Sequence, residues 1–531
     1  MRRETREIRP ATTNPRAGTM IHRLRQAAER PNLRAHTVTF PEIDMSTAYE
    51  HRRSAKAEAF MASVQNGKYD RQIITGLQKF FDGRVPEDMS GLYSPNELQN
   101  LRDLKGTVKD VEKRMPVKVT RHYYELAKTS APLRTLIKAN PAETADLDGA
   151  PDPGRQMDYS PVEGLIHKYE LGLIYVASTC SAHCRFCYRE ELIARKEVQR
   201  PDGTVAPKGL AQIEDIVPYI LKHNDEVRAN GGRHPQTGRE KLREILMSGG
   251  DPMVLSNSNL ASWLSALADA GIEQVRIGTK EMAFFPDRFD SHFMDMLDKF
   301  HAAYPGVQLR IMVHFNHPDE FLQKDETGGY IDDPEGGLRW LPSTRRAVAE
   351  LGKREWLSID NQAPIIKGIN DDADALRIMQ RELRRHRVEN HYFFCGRDIV
   401  GHKAFNVPIE QAWRILNESQ KGLSGVEGHA RLSITHYKGK TEVVAVTNQP
   451  IVGVPQSENG VIIFKLLRSA KDAPDKGKVA IAGRNPSAIW FSGYTDRVIF
   501  DELGLFDEYI ALDKQLRASK PAQFAAVEAV L

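Results

Sequence analysis

The sequence predicts an α/β protein: a partial barrel of six parallel strands, with a helical N-terminal region and a small C-terminal α+β region. Three observations carry that prediction. Apolar, strand-like runs recur at Leu173–Ala177, Glu244–Met247, Gln274–Thr279, Gln308–His314, Trp356–Asp360 and Asn390–Phe394. Amphipathic segments separate them, the alternation that a parallel sheet with crossover helices requires. Polar or glycine-rich clusters follow several runs directly, and strand C-terminal ends are where α/β barrels place their chemistry.

Taken in order, residues 1–90 read as a basic, partly disordered extension, because residues 1–35 carry nine arginines and no lysine. A nucleic-acid-binding arm or a transit peptide is the sharper alternative, and Met20 or Met45 could begin a shorter chain. Residues 91–160 read as helical. Ser94-Pro-Asn-Glu97 has the form of a capping box, and Leu98, Leu101 and Leu104 recur at helical spacing. The Pro-, Asp- and Gly-rich stretch Asn140–Pro161 is expected to be a connector over the surface. The catalytic core is placed at 161–454. Within it, Leu260, Trp263, Leu264 and Leu267 mark one helix face, with Ser258 able to cap its start and Gly271 its end. Two polar stretches, His223–Glu240 and Gln323–Gly337, read as loop insertions. Residues 455–531 combine β-like runs such as Gly460–Lys465 with an amphipathic helix near Leu512–Val530, suited to a lid or an oligomer interface.

With 74 basic against 71 acidic residues, a formal charge of +3 gives no ground for a nucleic-acid or membrane-surface partner. No apolar run approaches a membrane span and no secretory pattern is present, so a cytoplasmic location is expected. Four cysteines do not make a disulfide framework.

Three of those four, Cys180, Cys184 and Cys187, fall in one segment spaced C-x3-C-x2-C, directly after the run Leu173–Ala177. Four sulfur ligands would close an iron-sulfur cube or a structural zinc site, whereas three leave one metal position free to activate a small molecule. A zinc knuckle is the plainer alternative, and only His183 offers a fourth ligand nearby. The spacing, with Phe186 before the last cysteine, resembles the radical S-adenosylmethionine (SAM) superfamily. That resemblance implies a [4Fe-4S] cluster on the three cysteines, with SAM chelated at the open iron. Ser248-Gly249-Gly250-Asp251-Pro252 is good turn chemistry, and it could also present backbone to the amino group of SAM. His314 and Gln362, at two further strand ends, are polar candidates for SAM or substrate.

A closer resemblance rests on Ser160–Tyr169, the cysteine loop, Ser248–Asp251, Arg276–Thr279, His314–Pro318, and Asn361-Gln362 through Lys367–Asn370. In order and interval these resemble the lysine 2,3-aminomutase family, over about residues 92–454. The resemblance implies an isomerase that uses SAM and pyridoxal 5′-phosphate (PLP) to move an amino group from the α to the β carbon of an amino acid bound as a PLP imine. It implies Lys440, in Gly439-Lys440-Thr441, as the PLP lysine; Lys168 and Tyr169 as PLP contacts; and Arg189 as the grip on the substrate α-carboxylate.

The chain departs from the family where PLP and side chain are read. Lys168 stands at a family arginine and cannot make the planar bidentate contact, and a second family arginine has no counterpart around Leu171-Gly172. Ser433 occupies the position of one aspartate that holds lysine's distal ammonium, and Gly396-Arg397-Asp398 replaces the other. Burying an ammonium without a carboxylate is costly, so lysine is not the expected substrate. Arg397, His436 and Lys438 could instead receive an acidic side chain such as glutamate's. A PLP-free radical SAM enzyme or maturase is the alternative function. Expected partners are an amino acid and an electron donor such as flavodoxin or ferredoxin, with a homo-oligomer open.

Overall fold

The computed structural model describes residues 53–84, 91–145, 149–150, 152–190, 197–199, 205–207, 209–470 and 476–511. The arginine-rich start and the expected helix near 512–530 lie outside these residues.

The described strands are β1 Ile73–Thr75, β2 Lys118–Thr120, β3 Leu165–Ile166, β4 Gly172–Ala177, β5 Glu197–Gln199, β6 Val205–Pro207, β7 Glu244–Gly249 and β8 Gln274–Thr279. They continue as β9 Gln308–Val313, β10 Leu357–Pro364, β11 Val388–Phe394, β12 Arg431–His436, β13 Gly439–Thr447, β14 Val461–Ser469, β15 Val479–Gly483 and β16 Val498–Asp501. Twelve form one sheet in the order β3-β4-β7-β8-β9-β10-β11-β12-β13-β14-β15-β16, and β1-β2 and β5-β6 pair separately. From β4 to β12 every neighbour is parallel; β3 and β13 to β16 are antiparallel.

All six expected strands are present, and each after β4 is followed directly by helix or 3-10 turn, whereas β4 leads into the cysteine loop and the β5-β6 pair. A seventh parallel strand, β12, was not anticipated. Helices Ile213–Ala229, Asn257–Asp269, Ser291–Ala303, Pro342–Gly352, Ala373–Arg385 and Ile409–Gln420 alternate with the parallel strands. The helix Ala373–Arg385 shows why they form: Asp372 caps the start by accepting from the Asp374 and Ala375 N–H groups. Leu376, Met379 and Leu383 recur at helical spacing on its buried face.

The sheet curls. Its β3 and β12 strands are seven neighbour steps apart, about 34 Å if flat at about 4.8 Å per step. Yet Lys168, two residues after β3, donates its ammonium to His436 O at the end of β12 at 2.6 Å. Only a strongly bent sheet brings those ends together, and the bend encloses a cavity at the strand C-terminal ends.

Some local expectations are corrected. The Asn257–Asp269 helix is capped by Ser256, not Ser258, while Gly271 sits just past its end at φ +82°. Ser94 and Glu97 do form the capping box, but Leu104 ends that helix 44% exposed rather than joining its buried face. The segment assigned to a loop at His223–Glu240 begins inside the helix Ile213–Ala229, with His223 buried. The Asn140–Pro161 connector is not purely superficial, since Glu143 is buried against the cysteine loop. Beyond residue 455 the chain adds strands to the main sheet through the β13-β14 pairing.

Candidate active site

The loop after β4 carries Cys180, Cys184 and Cys187, and all three line one cavity of about 280 Å³. The N-terminal helical region holds this loop in shape. His183 N–H donates to Lys118 O at 2.9 Å and Arg185 N–H to Leu136 O at 2.8 Å. The buried Arg185 guanidinium forks onto Glu143 at 3.0 and 2.6 Å and donates to Met115 O at 2.7 Å. A charge taken out of water needs such partners, and here Nε, Nη1 and Nη2 each have one.

From the other side the turn after β7 packs onto the loop. Gly250 N–H donates to Ala177 O at 2.6 Å, and Asp251 N–H to Thr179 O at 2.8 Å. A Cβ on Gly250 would stand 2.1 Å from Thr179 O; one on Gly249 would stand 2.3 Å from Ala177 O, at a φ of +119°. The two glycines therefore admit the cysteine loop itself. Gly250 also lines the cavity, whereas Gly249 is not on its wall. Asp251 reaches the wall, but its carboxylate already accepts from Met253 N–H, the Thr279 hydroxyl and Lys280 N–H at 2.9, 2.8 and 2.7 Å.

Burial foremost, then the Lys280 and Arg189 cations, hold the pKa of His314 well below its ordinary value, so a neutral imidazole faces the cavity. Lys280 fixes the segment behind it, donating at 2.7 Å to His314 O, Asn316 Oδ1 and Glu320 Oε1. Gln362 lines the wall just after a bulge in the β10-β11 pairing, a device that re-aims side chains next to sites. Arg189 hydrogen-bonds the Ser248 hydroxyl through Nη1, while its buried Nε has no partner among the described residues. A guanidinium on a cavity wall suits a carboxylate.

At the opposite wall stands Lys440, the second residue of β13, with its ammonium 4.5 Å from the centre of the Tyr392 ring. Burial first, then the Arg468, Arg276 and Arg397 charges, lower its pKa to about 7. Roughly half of it is therefore a neutral amine at neutral pH. Of the lysine, arginine and carboxylate side chains on the wall, four are arginines, three are lysines and one, Asp251, is an acid. A cavity so charged receives anions.

Among the described residues no three His, Cys, Asp or Glu side chains group so as to hold a single metal ion. The C-x3-C-x2-C spacing of the loop is consistent with a [4Fe-4S] site. No family model matches the chain. An Aquifex aeolicus protein named "Putative L-lysine 2,3-aminomutase" is 29% identical over 373 residues, 69% of this chain and 83% of its own. The L-lysine 2,3-aminomutase of Fusobacterium nucleatum is 24% identical over 371 residues, 66% of this chain and 74% of its own. The glutamate 2,3-aminomutase of Clostridioides difficile is 25% identical over 297 residues, 56% of this chain and 58% of its own. This chain is a distant homologue of the 2,3-aminomutases. A radical SAM methyltransferase of known structure from Sphaerobacter thermophilus overlays 52% of this chain and 72% of its own at 16% identity, with a TM-score of 0.30, too loose to weigh.

In this aminomutase homologue the residues expected to read the substrate side chain separate. Arg397 lines the cavity, its guanidinium 4.1 Å over the Tyr188 ring and donating to Gln156 Oε1 at 3.3 Å. Ser433 does not line it: fully buried on β12, its hydroxyl is without a partner among the described residues. His436 is turned onto the Thr441 hydroxyl at 2.5 Å, and Lys438 lies off the wall beside Tyr437. Lys168 and Tyr169 are on the wall, yet the Lys168 ammonium is committed to Gly154 O and His436 O at 2.5 and 2.6 Å. Sequence reasoning gave no individual role to Arg276, Lys280, Tyr392 or Arg468, all on the wall. For Arg468 the signal was the β-like run before it, which pairs with the strand of Lys440.

Proposed function

We propose that the protein is a radical SAM 2,3-aminomutase that moves an amino group from the α to the β carbon of an amino acid with an acidic, glutamate-like side chain. Its curled sheet is read as a partial (β/α)6 barrel, with residues 161–454 the catalytic core. One observation carries the proposal: a single cavity joins the three cysteines and Arg189 to Lys440, on a wall with seven basic side chains and one acid.

In this reading Cys180, Cys184 and Cys187 hold a [4Fe-4S] cluster, and Gly250, Asp251, His314 and Gln362 face SAM. Reduced cluster and SAM supply a 5′-deoxyadenosyl radical, and PLP supplies the conjugated system that lets nitrogen migrate. Lys440 offers the neutral amine needed to capture an aldehyde. Arg189, on the cavity wall, aligns the α-carboxylate, fixing which carbon faces the radical source. Arg397 receives the distal carboxylate. A lysine substrate would bring a further ammonium into a wall that is already cationic, without the paired acids it needs. The enclosing sheet and the aromatic Tyr392 and Phe394 beside Lys440 keep water from the reacting centre.

The test is an anaerobic reaction with SAM, PLP and reductant, offered a panel of amino acids and read by chromatography of same-mass products. Glutamate or a near analogue is expected to yield the β-isomer. Preferred turnover of lysine overturns the side-chain reading, and 5′-deoxyadenosine without any isomer overturns the aminomutase reading.

A further inference from the structure

We propose that Arg468 and Arg276 form the seat for the phosphomonoester of PLP, beside Lys440, replacing the basic residues that the aminomutase pattern would place around Lys168 and Leu171-Gly172. The inference rests on Lys440 being the PLP lysine. Lys168 cannot serve freely, because its ammonium bridges Gly154 O and His436 O and so closes the curled sheet.

The C-terminal strand supplies the alternative. In the β13-β14 ladder Glu442 opposes Lys465 and Thr441 opposes Leu466, so a regular register would put Leu467 opposite Lys440. A bulge inserts one residue, and Arg468 takes that place instead. Since a one-residue slip reverses which face a side chain occupies, the bulge turns a guanidinium rather than an isobutyl group toward the cavity. Basic side chains directly opposite across a ladder disfavour each other's charged forms, and Arg276 of β8 adds a third to the same wall. Each guanidinium has one acid beside it: Glu170 stands 3.5 Å from Arg468 with its side chain 58% exposed, and Glu244 pairs with Arg276 through Nε. A dianion with three acceptor oxygens would relieve the repulsion and engage both guanidinium forks. The influence of Arg468 and Arg276 on Lys440, the largest after burial, places all three groups within electrostatic reach of one another.

The test compares PLP with pyridoxal, which lacks the phosphate, on the full-length, cluster-loaded protein. Binding is followed by imine absorbance and by borohydride trapping with peptide mapping. Wild type is expected to bind PLP at least about tenfold more tightly than pyridoxal. R468M should weaken PLP by roughly tenfold or more while leaving pyridoxal within about twofold, and R468K should recover part of the loss. R276M should behave alike; should it fail to fold, R468M alone decides. Equal weakening of both ligands, or of neither, overturns the phosphate seat while a label on Lys440 keeps the PLP reading. No label on any lysine of the wild type overturns both.

Discussion

At its cysteine end the cavity is knitted from backbone: Gly250 and Asp251 donate to Ala177 O and Thr179 O, and Arg185 locks the loop to Glu143. At its lysine end the wall is made of long side chains, Lys440, Arg468, Arg276 and Arg397, with an excess of positive charge. The first end tolerates little displacement, since a single methyl group would collide with main chain there. The second can exchange side chains without moving the sheet, and there the chain departs from the aminomutase pattern. Rigid backbone carries the shared chemistry, and exchangeable side chains carry selectivity.

Breaking the rigid end should have the largest effect. Cys180→Ala, Cys184→Ala and Cys187→Ala are each expected to abolish cluster iron and sulfide after anaerobic reconstitution, and all turnover with them. Cys395→Ala should keep full iron content; equal loss there would erase the distinction between the clustered and the lone cysteine. At the basic end the most damaging change is Lys440→Ala, expected to lower turnover by roughly 10³-fold. Its pH dependence is a sharper probe. Lys440 has a depressed pKa of about 7, so it is protonated below that value and neutral above it. The rate of PLP capture should therefore rise about tenfold per pH unit up to about 7 and level off above. An ordinary lysine would keep rising to about pH 10. Stopped-flow absorbance across that range separates the two.

How much of this was legible in the sequence follows the same division. The six parallel strands and the cysteine loop could be read because apolar runs, turn residues and thiol spacing are local signals. The twelve-stranded extent of the sheet could not, because β12 meets β11 over only three residue pairs and the antiparallel strands after it gain their meaning from pairing. For Arg468 the run before it showed a strand but not which way the guanidinium turns: a bulge sets its facing, and no single-strand pattern reports a register shift. Lys168 is the converse case. Its position suggested a phosphate contact, and its ammonium is held by two carbonyls, of Gly154 and of the distant His436.

A third change sits between the extremes, because it weakens the cysteine end from behind. Glu143→Ala leaves the buried Arg185 guanidinium without its carboxylate and should cost about 3–5 kcal/mol of stability. Melting and iron retention should fall together. A variant that melts early yet keeps its cluster would show that the loop holds its shape without this pair.

The smallest effect is expected where sequence comparison alone would look for a large one. Ser433 stands at the position of a family aspartate, so a direct reading predicts that changing it alters substrate choice. It is fully buried, off the cavity wall, and its hydroxyl lacks a partner among the described residues. Removing an unpaired buried hydroxyl deletes no hydrogen bond and relieves an unmet desolvation cost. Ser433→Ala should therefore leave substrate preference and KM within about twofold and shift stability by less than about 1 kcal/mol, in either direction. Ser433→Asp should not create a lysine enzyme, since a carboxylate there would be buried among packed side chains at a cost of several kcal/mol. If Ser433→Ala instead changes which amino acids react, the cavity opens beyond Thr435 to Ser433 during turnover, and selectivity is shared with the packed interior rather than confined to Arg397 and its neighbours.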